Sequence, residues 1–561
     1  MVRWVSLPNK NKPWFNKWPS DVPKTIKYPA ISLQGTLQKT AKNYPANVAL
    51  AYDGKETTYA QLDSLSNQFA HALAKLGVEK GDRVALFLPN VPQFIIAYFG
   101  ILKAGAIVTA ISPLHREREV EYQLCDSEAE TIIALNSLYA VVGNVWAKTK
   151  LKNVIVTSLD EASETAIIPS KPNLFDFQKL LKEAPETPPK VKINPERDLA
   201  ALQYTGGTTG TAKGAMLTHA NLVSNALAFA AWIKGATAKE TFLTALPLFH
   251  IYGMTTSMTV PISLAAKMVL MPRFEPAKAL EAIQKHGVTV FCGVPTMYSA
   301  LLSNPELGKY DLTSIRVCIS GASSLPPQIQ KKFMQITGGF LAEGYGLTEA
   351  SPVTHCNPVD STMRTVKVGS IGLPLPDTEA RIVDLVTGEK TLTQGEAGEL
   401  AVKGPQVMKG YWRRPEETAL VLRDGWLLTG DIARIDEDGY FYITDRKKDL
   451  IKYKDYSVYP RELEDVLYEH PAVKLCAVIG KPDTAAGEIP KAFIVLKEGT
   501  AASAEEITSF VNGKVASYKS IREVEFRKEL PISSAGKVLR RLLQEEKGKR
   551  LGAEIRKLGN F

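Results

Sequence analysis

Between about residues 59 and 341 the chain alternates between short, β-rich apolar runs and longer segments with helical spacing. Residues 83–88 (RVALFL) end at Pro89-Asn90, and residues 154–157, 241–246, 288–291 and 315–319 repeat the pattern. Strands with no polar face must be covered on both sides. Residues 59–76 and 276–285 carry the apolar spacing of helices that can cover them. This order predicts an α/β fold with largely parallel sheet. In such folds ligands bind at the carboxyl ends of the strands.

A chain of 561 residues exceeds one ordinary core, so at least two domains are expected. From Gly395 short strands follow closely (398–402 and 439–443), then the charged run Asp445-Arg446-Lys447-Lys448-Asp449. A boundary is expected there, giving residues 1–447 as the large N-terminal domain of layered α/β sheets with a small β subdomain. Residues 448–561 would form a small α+β C-terminal domain. The most apolar stretch, 94–111, is broken by Lys103 and two glycines. A span needs about 20 apolar residues, so a buried helix and a strand are expected instead. The five cysteines are scattered without CxxC spacing, which argues against a disulfide framework and a zinc site. Each is expected to be a small buried hydrophobe, and a cytoplasmic location fits. The formal charge of +9 is spread and interleaved with acids, which speaks against a nucleic-acid partner. It leaves room for peripheral contact with an anionic membrane.

The strongest chemical signal is Tyr204-Thr205-Gly206-Gly207-Thr208-Thr209-Gly210-Thr211-Ala212-Lys213-Gly214, directly after an apolar run. Glycines let the backbone approach a polyphosphate and present unobstructed N–H donors. The threonines add hydroxyls and Lys213 a positive charge. Lys213 is followed by Gly214 rather than Ser or Thr, so this is no Walker A loop.

With this loop the chain resembles the adenylate-forming enzymes: acyl-CoA synthetases, firefly luciferase and peptide-synthetase adenylation domains. The resemblance continues in order through Gly344-Tyr345-Gly346-Leu347-Thr348-Glu349, Thr429-Gly430-Asp431, the stretch from Asp445 to Lys452, and Ser534-Ala535-Gly536-Lys537. It covers about residues 33–543, and residues 343–352 look most like the long-chain fatty acid–CoA ligases.

The resemblance implies ATP, Mg²⁺ and coenzyme A. Glu349, with Thr205, would ligate Mg²⁺, and Thr348 would contact the α-phosphate. Gly321-Ala322-Ser323 would line the adenine pocket, Tyr345 would offer a face to the base, and Glu343, Gly344 and Gly346 would belong to the ATP/AMP-binding set. Asp431 would accept from the ribose hydroxyls, supported by Arg446, with Ile443 nearby. Lys537 would bridge the substrate carboxylate and the α-phosphate, with His250 beside the carboxylate. Tyr252, Met254 and Val294 are acyl-pocket candidates. A mobile C-terminal domain would pivot at Lys448 and bring Lys452 to the site in place of Lys537. The chain departs from the family at Asp455, where glycine is usual.

The implied activity is AMP-forming activation of a medium- to long-chain fatty acid and its transfer to coenzyme A. Rival expectations are a synthetase for a short, hydroxylated or aromatic acid, and a non-catalytic nucleotide-binding protein on the same scaffold. The expected partners are fatty acid, ATP and coenzyme A, with a homodimer allowed.

Overall fold

The computed structural model describes residues 12–159, 171–205, 212–360, 365–454, 456–483, 486–532, 538–540 and 542–544. Gly206, Gly207, Thr208, Thr209, Gly210, Asp455 and Lys537 therefore lie outside the described residues. The chain divides into two compact units. The first takes in Met1–Ala380, Val402–Leu427 and Asp438–Tyr440, and the second Arg381–Ala401, Leu428–Glu437 and Phe441–Phe561.

The first unit holds two large sheets. One has seven strands in the order Leu174–Asp176, Asn153–Thr157, Thr131–Leu135, Arg83–Phe87, Ile107–Ala110, Leu199–Thr205 and Lys213–Thr218. All neighbours are parallel except the last pair. The other has nine strands, and its central run is parallel: Phe340–Gly346, Val317–Ser320, Val290–Gly293, Thr241–Thr244, Lys267–Leu270 and Val48–Tyr52. The expected strands form, and that near 288–291 moves to Val290–Gly293. The physical reason is Gly287, which caps the helix Pro276–His286 in the left-handed region and delays extended backbone.

The cores are the buried faces of these strands and their covering helices. Leu243, Val269, Leu280, Ile283, Phe291, Leu301, Cys318 and Leu341 form one cluster. Each of its Val, Leu, Ile and Phe side chains contributes about 1.5–3 kcal/mol on burial. The apolar run 94–111 resolves into the helix Pro92–Lys103 and the strand Ile107–Ala110. Among the described residues no helix is long and apolar enough to cross a membrane.

Lys103 ends that helix with its side chain buried. Its ammonium donates to Asp63 Oδ1 at 2.6 Å, the Asp63 carbonyl at 2.8 Å, and Ser66 Oγ and Asn67 Oδ1 at 2.7 Å. All three partners lie on the helix Tyr59–Lys75. Burial pulls Lys103 down to about 8, although Asp63 favours its charged form.

Four cysteines are buried as expected, but Cys125 is exposed. The helix Glu117–Ser127 buries Val120, Gln123, Leu124 and Ser127, and Cys125 falls outside that stripe.

In the second unit, residues 431–435 pair antiparallel with Phe441–Arg446. A further sheet has the order Tyr456–Val458, Ile451–Tyr453, Gly487–Leu496 and Val473–Asp483, with Glu523–Phe526 paired to Gly487–Leu496. The helices Pro460–Tyr468 and Ala504–Asn512 bury Leu463, Leu467, Ile507 and Val511 with it. The architecture is thus the expected one: an α/β fold with a large unit of layered sheets and a smaller α+β unit.

Candidate functional site

The two large sheets meet at the carboxyl ends of their strands. Asn90 follows Arg83–Phe87 of one sheet. Its amide donates to the Thr244 and Leu246 carbonyls of the other at 3.2 and 2.8 Å, and its oxygen accepts from Leu248 N at 2.8 Å. Gln203 Nε2, on Leu199–Thr205, donates to the Phe249 carbonyl at 2.7 Å. These side-chain amides fix the segment 246–250, at whose end His250 stands.

His250 caps the short helix Ile251–Met254, its Nδ1 accepting from Tyr252 N at 3.3 Å. Tyr252 reaches inward, and its hydroxyl donates to the Ile319 carbonyl at 2.8 Å. Gly321 packs closely against this ring: a Cβ there would lie 3.0 Å from Tyr252 Cζ, so any larger residue would push the ring aside. Met254 and Val294 are buried. His219, expected to be structural, accepts from Leu33 N at 3.3 Å, and burial lowers it to about 4.

Phe340–Gly346 carries Glu343, Gly344, Tyr345 and Gly346 to its end. A Cβ on Gly346 would lie 2.2 Å from the Pro352 carbonyl oxygen, so only glycine permits that approach. Glu343 is nearly buried, and its carboxylate accepts from Leu325 N at 3.2 Å. It thereby holds the segment after Val317–Ser320, in which Ala322 adopts φ +70° and Ser323 is exposed. Tyr345 lies edge-on to His355 with centroids 6.0 Å apart.

The turn Thr348–Ala350 follows and presents Glu349. Tyr411 donates its hydroxyl to Glu349 Oε1 at 2.7 Å. Burial, reinforced by Glu349, pushes the ionisation of Tyr411 far up, so it stays a donor. Sequence reasoning did not find Tyr411. Its only signal is the dense aromatic and basic run 411–414 before Pro415.

Thr205 and Lys213 face each other in register where their two strands leave the sheet. The ends of the loop between them are anchored. Tyr122 donates to the Ala212 carbonyl at 2.6 Å, and Tyr204 to Asp126 Oδ2 at 2.6 Å. Arg414 Nη2 binds the other Asp126 oxygen at 2.7 Å. The segment 408–412 runs beside Lys213–Thr218, with Met216 N donating to the Gly410 carbonyl and Trp412 N to the Gly214 carbonyl, both at 2.8 Å. Met408 N donates to the Glu349 carbonyl at 2.8 Å. One stretch of backbone thus links Lys213 to Glu349. An ammonium, a threonine hydroxyl and an oriented carboxylate together can hold a polyanion with its counter-cation.

In the second unit Asp431 lies opposite Arg446, whose Nε is 3.3 Å from Asp431 Oδ1. Thr429 donates to the Leu400 carbonyl at 2.8 Å, and Gly430, at φ +74°, donates its N–H to Glu399 at 3.0 Å. Ile443 is half-buried opposite Ala433. Burial raises Asp445 to about 6 against the opposing charge of Arg540, and it lowers Lys448 to about 8. Lys452 is exposed on Ile451–Tyr453. Arg540 grips Asp449 Oδ2 at 3.1 Å and both oxygens of Glu464.

An α/β unit that gathers such a loop, lysine and carboxylate at its strand ends has the build of a nucleotide-handling enzyme. A family model described as AMP-binding enzyme matches residues 37–412, and one described as AMP-binding enzyme C-terminal domain matches residues 462–537. The chain belongs to the AMP-binding enzyme family. It is 44% identical over 552 residues to a long-chain-fatty-acid–CoA ligase of Bacillus subtilis, covering 95% of this chain and 98% of the relative. The enzyme of the same name from Salmonella typhimurium is 40% identical over 560 residues, with the same coverage. Among solved structures, ATP-bound MatB from Rhodopseudomonas palustris superposes with a TM-score of 0.82 at 30% identity, covering 92% of this chain and 99% of that chain.

Proposed function

We propose that this protein is an AMP-forming ligase that activates a long-chain fatty acid with ATP and transfers the acyl group to coenzyme A. The observation that carries this reading is the end-to-end similarity to ligases named for that substrate, on a chain that keeps Thr205, Lys213, Glu349, Asp431, Arg446 and Lys537 in order.

In the first half-reaction a carboxylate oxygen bonds to the α-phosphorus of ATP and pyrophosphate leaves. Two anions must approach, so cationic and hydrogen-bonding groups placed beforehand supply most of the rate. Lys213 and Thr205 would hold the polyphosphate, and Thr348 the α-phosphate. Residues 321–323 and 343–346 would flank the base, and Asp431 with Arg446 the ribose. Lys537 would neutralise the approaching carboxylate, with His250 beside it. Tyr252, Met254 and Val294 would face the acyl chain.

The residues fit Mg²⁺. No group of three or more acidic, histidine or cysteine side chains is assembled among the described residues. That suits an ion held mainly by phosphate oxygens and water, with one or two protein oxygens. Glu349, oriented by Tyr411, and Thr205 would be those oxygens. The ion supplies charge neutralisation at the phosphates.

In the second half-reaction the thiol of coenzyme A attacks the acyl carbon and AMP leaves. The domain division would fall at residues 447/448, Lys448 would be the pivot, and Lys452 would replace Lys537. Peripheral membrane contact would draw on the formal charge of +9.

The test is a panel of short, aromatic and long-chain acids, with AMP and pyrophosphate measured separately, with and without coenzyme A. Long-chain acids should give pyrophosphate in both cases and AMP only with coenzyme A. A maximum on short or aromatic acids would refute the substrate class, and no pyrophosphate from any acid would refute adenylation.

A further inference from the structure

Lys213 is paired with a carboxylate and an aromatic ring. Its ammonium makes a close ion pair with Glu417 Oε2 and lies 5.1 Å from the centroid of the Tyr411 ring. Glu417 sits in the first turn of the helix Pro415–Val421, directly after the segment that runs beside Lys213–Thr218. Arg414 Nε approaches its other oxygen at 3.6 Å while its Nη2 binds Asp126. The carboxylate is therefore steered from one side by an arginine and presents its second oxygen to the lysine. The pair is neither sealed nor free: the lysine side chain is 21% exposed and the glutamate 34%. Lys103, sealed among four acceptors, could not change partners, whereas Lys213 can.

We propose that Glu417 is a positioning residue that stands in for phosphate. It holds Lys213 at the mouth of the loop in the nucleotide-free protein, yields it to the polyphosphate of ATP, and takes it back as pyrophosphate departs. This rests on the ATP-dependent adenylation proposed above. No covalent bond changes; one ammonium exchanges a carboxylate oxygen for a phosphoryl oxygen. Two consequences follow from one competition. Glu417 weakens ATP binding by the strength of its own pair, and it eases pyrophosphate out by offering the lysine an alternative. A pair of this exposure shifts an equilibrium by about two- to fivefold.

The test uses the full chain with Glu417→Gln, Lys213→Ala and the double variant. ATP with Mg²⁺ is titrated calorimetrically, and pyrophosphate release is followed by stopped flow. Glu417→Gln should bind ATP about two- to fivefold more tightly and release pyrophosphate more slowly by a similar factor, lowering KM for ATP more than it alters kcat. In the Lys213→Ala background the substitution should have no effect on ATP affinity. Unchanged or weakened ATP binding in Glu417→Gln, or a gain that persists without Lys213, would overturn the proposal. The titration needs no turnover, so the two readings fail separately. Tighter ATP binding without acyl-adenylate from any acid would sink adenylation and keep the clamp, and the converse would sink the clamp alone. Should the glutamine variant fail to fold, Glu417→Asp, which keeps the charge on a side chain one methylene shorter, serves in its place and should tighten ATP binding by less.

Discussion

Lys103 and Lys213 are both paired with carboxylates, yet the two regions use the charge in opposite ways. Lys103 closes a helix–helix seam. Its four acceptors come from one turn of the facing helix, and the ammonium itself is buried, with Asp63 partly open at the rim. Lys213 stands at a strand end with one carboxylate and one ring, and about a fifth of its side chain is open to solvent. A fully satisfied buried charge has nowhere better to go, so it specifies packing. A half-satisfied one at an open end retains capacity to bind. The difference lies in the number of acceptors and in water access, and both are set by which element carries the lysine.

Three measurements can break or sharpen that contrast. The largest effect is expected from Lys103→Ala, which strands the Asp63 carboxylate and two polar groups and should cost about 3–5 kcal/mol in denaturant unfolding. Lys213→Ala should change the same quantity by less than about 0.5 kcal/mol. Equal losses would show that both lysines are structural. Next, Tyr411→Phe removes the donor that orients Glu349. The Mg²⁺ concentration giving half-maximal adenylation should rise about tenfold, as for other outer partners of metal ligands. An unchanged Mg²⁺ dependence would detach Tyr411 from the site.

The smallest effect concerns pH. The side chain of Lys103 keeps its proton to about 8 when folded, against an ordinary value of 10.5. Between those values the unfolded chain binds more protons, so this residue makes stability rise with pH across that window. The stability gap between wild type and Lys103→Met should therefore widen from pH 8 to 10. A constant gap would mean that Lys103 titrates alike in both states.

The layered α/β fold was legible because strands buried on both faces advertise themselves as continuous apolar runs. The role of Lys103 was not. In sequence it only interrupts such a run, and Asp63, Ser66 and Asn67 become its partners once two helices are laid together. Cys125 was misjudged because composition says that cysteines are usually buried, whereas the spacing of Val120, Leu124 and Ser127 puts it outside the stripe. The loop from Thr205 to Lys213 and the position of Glu349 stood out through their residue types. Tyr411, Arg414 and Glu417 did not, because their chemistry depends on a strand-like pairing with residues far back in the chain.

That pairing has a consequence for how the protein is made. The glycine- and threonine-rich loop leaves the ribosome long before the residues that pair with Lys213 and flank its strand. Until the stretch from Met408 to Glu417 has been synthesised, the edge of Lys213–Thr218 lacks its neighbour, and Lys213 lacks both its ring and its counter-charge. Competence to bind a polyphosphate should therefore appear late and abruptly during translation. Nascent chains stalled before and after residue 417 would differ in ATP capture far more than in the content of their sheets.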